Sequence, residues 1–131
     1  MTLAASNPAE FEAAFRAAER ARVEAVHVLP SPAFGAQRRA LIDLAARFRM
    51  PAFYELRLYV DDGGLMSYGP SAADLYGRSA TYVDRILKGA NPGELAIERP
   101  ARFELVINQK TARALGLVIP KALLNRADAV I

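Results

Sequence analysis

The sequence has no cysteine and a single histidine, His27. Disulfides and thiolate metal sites are therefore excluded, and the redox compartment is left open. One imidazole alone cannot build a metal cluster. Long apolar runs are missing too: no window approaches the roughly 18 uninterrupted apolar residues that mark a membrane span. The opening stretch MTLAASNPAEF lacks the basic region and apolar core of a secretion signal. As written, the chain is expected to be soluble, without an export address. It has neither a G-x-G-x-x-G nor a Walker pattern, and no cofactor is expected. Charge of one sign is also scarce. The 17 basic and 14 acidic residues leave +3, dispersed rather than massed, which argues against a nucleic-acid groove. There is no internal repeat and no low-complexity tract.

What is present is ordinary for one globular domain: 131 residues, 53% hydrophobic and 24% charged, enough to bury a real core. Asn7-Pro8-Ala9-Glu10 reads as a helix start, with Asn7 as the cap, Pro8 in the first helical position and Glu10 at capping-box spacing. Phe11, Ala14, Phe15 and Ala18 follow at helical spacing, and the helix is expected to end near Arg22. Glu24 to Leu29 reads as a mostly buried strand, closed by the loop Pro30-Ser31-Pro32. Gln37 to Arg49 is a second amphipathic helix with Leu41, Leu44, Ala45 and Phe48 along its stripe. A short strand, Ala52 to Tyr54, comes next. Helix, strand, helix, strand with brief connections predicts an α/β fold, a mainly parallel sheet covered by helices in a Rossmann-like three-layer sandwich. In such sheets ligands sit beyond the carboxyl ends of strands, here Pro30-Ser31-Pro32 and Tyr54-Glu55.

Beyond Tyr54, Leu65 to Tyr68 is expected to be extended. Ser71 or Asp74 caps the longest helix, which ends at Gly89 and is expected to bury Leu75, Ala80, Val83, Ile86 and Leu87. A Pro- and Gly-punctuated connection, Ala90 to Pro100, leads to the strand Phe103 to Ile107. Asn108 then caps a short helix stopped by Gly116. Pro120 starts another, and Asp128 to Ile131 forms a last strand.

The segment Tyr54 to Pro70, YELRLYVDDGGLMSYGP, puts the most hydrogen-bonding groups beside the most backbone freedom. Tyr54, Arg57, Tyr59 and Tyr68 form an aromatic and guanidinium cluster. A Tyr ring offers an apolar face with a polar tip, and Arg takes a carboxylate bidentately, which suits an amino acid or aromatic acid in a cleft. Asp61-Asp62 reads as a solvated turn, since adjacent carboxylates diverge and no third ligand stands at a calcium-type spacing. Gly63-Gly64 reads as a bend or hinge. Ser31 and Ser67 lack a nucleophile-elbow context, and His27 reads as a packed strand residue rather than a base. No triad assembles, so the chain does not read as an enzyme. Thr111 to Leu117, followed by Pro120 and Leu123-Leu124, has a helix-turn-helix look. Its second helix is brief, with only Lys121, Asn125 and Arg126 to reach a base.

Several blocks resemble the carboxyl-terminal part of ABC-transporter substrate-binding proteins, in the branch that includes tryptophan-binding members. They are Pro51-Ala52-Phe53-Tyr54, Arg57-x-Tyr59-Val60-x-x-Gly63-Gly64-Leu65-Met66-Ser67-Tyr68-Gly69 and Asp74-Leu75-Tyr76. Further blocks are Tyr82-Val83-Asp84-x-Ile86-Leu87-Lys88-Gly89-Ala90, Phe103 to Asn108 with Lys110-Thr111-Ala112, and Ala114-Leu115-Gly116-Leu117-x-Ile119-Pro120. The resemblance covers nearly the whole chain. Gly77 departs from it, standing where the family tends to have Arg. It implies part of a type I periplasmic-binding-protein fold, a small-molecule solute, an ABC permease as partner and a periplasmic setting. Ser31, Tyr54, Arg57 and Tyr68 are the expected ligand contacts, with Gly63 and Gly64 as the hinge. It also implies an amino-terminal lobe and a signal ahead of this region. A lobe lacking its partner exposes apolar faces, so a homo-oligomer is expected. The alternatives are a helix-turn-helix-like DNA-binding module and an oligomerising remnant domain that binds nothing.

Overall fold

The computed structural model describes residues 1–131. Along the chain come α1 (Pro8–Arg20), β1 (Val26–His27), α2 (Pro32–Ala36), α3 (Arg38–Arg47), β2 (Ala52–Tyr54) and α4 (Arg57–Asp61). They are followed by β3 (Met66–Pro70), α5 (Ala72–Leu87), β4 (Phe103–Ile107), α6 (Gln109–Ala114), α7 (Lys121–Leu124) and β5 (Ala129–Val130). The strands form one mixed sheet in the order β1-β2-β3-β4-β5, parallel throughout except where β4 runs antiparallel to β3. This is the expected α/β class with a mostly parallel sheet.

Register assigns the two faces. Val26 pairs with Ala52, Tyr54 with Ser67, and Ser67 with Val106. These side chains share a face, because alternate residues of a strand point the same way. That face carries the core: Phe11, Phe15 and Ala18 of α1 and Leu41, Ile42, Leu44 and Ala45 of α3 pack with Ala52, Tyr54 and Tyr59. Phe11 meets Phe34 edge-on at 5.4 Å, and Phe15 stacks on Phe48 at 5.8 Å. The opposite face, through His27, Phe53, Met66, Tyr68, Leu105 and Ile107, is covered less completely.

Capping follows the sequence closely. Asn7 accepts from the Glu10 amide at 3.1 Å, and the Glu10 carboxylate accepts from the Ser6 amide and hydroxyl at 2.7 Å. Those bonds to Ser6 hold the Glu10 carboxyl below its usual range. Ser71 caps α5 and Asn108 caps α6. Gly89 and Gly116 take positive φ just past their helices.

Three expectations are corrected, and one helix that the sequence did not signal is added. The first strand is two residues long at the sheet edge, with His27 exposed and its ring against Phe53 at 5.0 Å, rather than a mostly buried strand. Pro32 does not extend a loop but starts α2, where its fixed φ fits the first helical turn. Residues 57–61, whose aromatic and β-branched content gives little helical signal, form α4. The Asp61-Asp62 turn is the end of that helix. Asp62 pairs with Arg38 at 2.7 Å and Arg39 at 3.5 Å instead of standing free in solvent.

The largest departure is α5. It buries no residue, and Leu75, Val83, Ile86 and Leu87 all remain exposed, Leu87 at 82%. The helix and the irregular connection after it form an arm held to itself by Tyr82 Oη donating to the Ala96 carbonyl and by the Arg78–Glu98 ion pair.

Candidate functional site

The carboxyl ends of β1, β2 and β3 bring together the loop at Ser31, the Glu55–Arg57 corner and the Tyr68–Ser71 exit into α5. Gly69 welds the last two. A side chain at Gly69 would collide with the Glu55 carbonyl, so glycine is what lets the backbones of these two strand ends meet.

The expected aromatic and Arg cluster does not converge. Tyr54 is 1% exposed, stacked on Tyr59 with centroids 4.6 Å apart and planes at 14°. Both rings lie beneath α4 on the core face. Burial pushes Tyr54 well above its usual pKa and raises Tyr59, with Arg38 pulling Tyr59 back and Glu55 adding to its rise. Tyr68 follows the register partner of Tyr54 by one residue and so points to the opposite face. It is 53% exposed and stacks on Phe103 at 5.7 Å. Arg57 opens α4 and reaches back to Asp61 at 3.3 Å on the surface. Ser31 sits ahead of α2, and its hydroxyl makes no capping bond. Three of the four expected contacts, Ser31, Arg57 and Tyr68, thus keep polar groups available at the strand ends. Tyr54 is part of the core.

Gly63 and Gly64 lie at the other end of the sheet, before β3. Gly63 has φ +108 and ends α4, and a Cβ on Gly64 would stand 2.7 Å from both the Tyr59 carbonyl oxygen and the Tyr54 ring. The pair is a tight, packed turn.

Two side-chain oxygens near these strand ends, on Asp74 and Ser67, are buried without a partner, which the sequence did not signal. The Ser71 hydroxyl accepts from the Asp74 amide at 3.4 Å, while one Asp74 carboxylate oxygen is buried without a partner. Ser67, 1% exposed, also has an unpaired hydroxyl. The spacing Ser71-x-x-Asp74 signals a helix start, and only the fold shows that Asp74 turns inward. No group of three or more His, Cys, Asp or Glu is placed to hold a metal.

The helix-turn-helix look resolves into the crossover from β4 to β5. Asn108 and Thr111 donate to the carbonyls of Val60 and Gly63 at 3.5 and 2.8 Å, tying α6 to α4. The second helix, α7, has four residues, about 6 Å of rise, too short to lie in a groove.

The model of the ABC transporter substrate binding protein family matches residues 1–131. The chain belongs to this family. Its members are substrate-binding proteins rather than enzymes. No curated protein matches the sequence, but solved structures do. A conserved domain protein from Vibrio cholerae is 28% identical with a TM-score of 0.87, over 97% of this chain and 43% of that one. An ABC domain in complex with L-Trp from Streptococcus pneumoniae is 24% identical with a TM-score of 0.88, over 100% and 45%. A ligand-free, open substrate binding protein with adhesive properties from Clostridium difficile shares the fold at 14% identity and a TM-score of 0.64, over 95% and 41%. The chain spans less than half the length of each. No helix is long and apolar enough to cross a membrane.

Proposed function

We propose that the chain is a solute-binding lobe, or a fragment of one, of an ABC import system. Its solute would be an amino acid or aromatic acid, its partner a membrane permease and its setting the periplasm. The family match across the whole chain carries this reading. The chemistry of the strand ends supports it. Arg57 is half-exposed, and its partner Asp61 is a surface i,i+4 neighbour, a pairing worth well under about 1 kcal/mol, so a solute carboxylate competes readily for the guanidinium. The Tyr68–Phe103 stack offers an aromatic face to an aromatic side chain. The Ser31 hydroxyl supplies a donor and an acceptor. Tyr54 acts indirectly, its ring fixing α4 and thereby Arg57. The L-Trp complex of the streptococcal neighbour makes tryptophan the first solute to try.

Amide NMR of the chain titrated with L-tryptophan and then other amino acids tests this. Saturable shifts at Ser31, Glu55 to Arg57 and Tyr68, weakened about tenfold by Arg57→Ala, are expected. Shifts absent from these strand ends across the panel would remove the reading.

The bare face of α5 supports a second proposal, that copies of this chain associate through it. An uncovered apolar helix face of this length favours pairing. Light scattering should give a mass above the monomer, falling when Val83 and Leu87 become Ser. A monomer at micromolar concentration would overturn it.

A further inference from the structure

A second recess lies at the other end of the sheet, away from the strand ends assigned to the solute. It is about 480 Å³ in volume and is bounded by the end of α3, the turn at residues 63–65 and the start of α6. Met50 and Ala52 reach it from the amino-terminal end of β2, and Leu65 from that of β3. Asn108 reaches it from the carboxyl end of the antiparallel β4. A small molecule of ordinary size fits such a volume.

Its chemistry is not that of a packing defect. Arg49 and Lys110 line it, and neither has an ion-pair partner. Of the two lining carboxylates, Asp62 is held by Arg38 and Arg39, and Asp61 makes only its weak surface pair with Arg57. The rim therefore presents two cations without an ion-pair partner, against one weakly paired carboxylate. Its floor carries the ring of Tyr54, 1% exposed. Arg49 holds its place through a left-handed backbone, φ 49, just after α3. A non-glycine residue in that conformation is uncommon. Between rim and floor the walls are apolar, with Ile42, Ala45, Met50 and Leu115.

We propose that this recess binds a small organic anion, a carboxylate on a compact apolar body. The charged end lies between Arg49 and Lys110, and the body sits on the apolar wall above Tyr54. An anion without an apolar body would satisfy the cations but leave the wall wet. A neutral apolar molecule would leave the cations without a partner.

Sodium benzoate is a suitable probe, with benzyl alcohol as the neutral control, each titrated into the 131-residue chain and followed by amide NMR. Benzoate is expected to give saturable shifts at Gly63, Gly64, Leu65 and Asn108. Arg49→Gln and Lys110→Gln, both at exposed positions, should each weaken it about tenfold. Benzyl alcohol should leave these amides unmoved at the same concentration. The proposal is overturned if benzoate produces no saturable shift there, or if benzyl alcohol matches it. Equal benzoate binding by the doubly substituted Arg49→Gln, Lys110→Gln chain would overturn it as well. Shifts confined to Ser31, Arg57 and Tyr68 would place benzoate in the solute site and also overturn it, leaving the solute-binding proposal untouched.

Discussion

Tyr54 and Tyr59 lie under α4 as neutral, stacked phenols, and burial opposes ionising either. A phenol whose folded pKa is raised contributes stability that is full below the unfolded value, about 10, and lost as pH climbs toward the folded one. The chain is therefore expected to unfold in alkali, with part of its phenolate absorbance appearing only as the circular dichroism collapses. Tyr54→Phe should move that unfolding to higher pH. At neutral pH it should change stability by less than about 1 kcal/mol, because the ring and its stack on Tyr59 are kept. Reversible ionisation of all five tyrosines in the folded state would contradict this. Gly69 gives a second test. Gly69→Ala forces the Glu55 backbone away and should cost about 2 kcal/mol or more in denaturant unfolding. Gly35→Ala, with open space around it, should fall within about 1 kcal/mol of wild type.

Among the elements, α1 and α5 differ most instructively. Both are amphipathic and capped, by Asn7 and Ser71, and both are readable from periodicity. In α1 the stripe meets the core, whereas in α5 it meets nothing. Hydrogen exchange should therefore protect α1 far better than α5, which opens without unfolding the sheet. Gly77→Ala, at an open mid-helix position, removes roughly 1 kcal/mol of helix penalty. It should raise protection in α5 several-fold without moving the global midpoint. Periodicity reports which face of a helix is apolar, not whether anything covers it. That is why the two long helices were legible while the burial of α5 was not. Residues 57–61, to which the sequence assigned no element, were illegible for another reason. Leu58, Tyr59 and Val60 are as much at home in a strand, and only packing over β3 and β4 makes them helical. The site divided the same way. Ser31 and the Tyr54–Glu55 corner could be placed at strand ends from the order of elements. The turning of Tyr54 away from Tyr68 depends on a one-residue register that spacing does not reveal.

At the scale of the molecule, a packed core on one sheet face stands beside a less covered second face and an arm with no partner. The chain matches its family model over residues 1–131, yet covers only 43% and 45% of the Vibrio and streptococcal structures. Ser31, Arg57 and Tyr68 flank its strand ends, and the central proposal is that these ends hold a solute. Thermal melting of the chain with a panel of amino acids and aromatic acids tests that claim most directly. A ligand bound only by the native state stabilises by about 2.7 kcal/mol at 100 times its Kd, a rise of several degrees for a domain of this size. The prediction is that at least one member raises the melting temperature in wild type and that Arg57→Ala abolishes the rise. A panel in which no member moves the melting temperature, or in which the rise survives Arg57→Ala together with Tyr68→Ala, would contradict it.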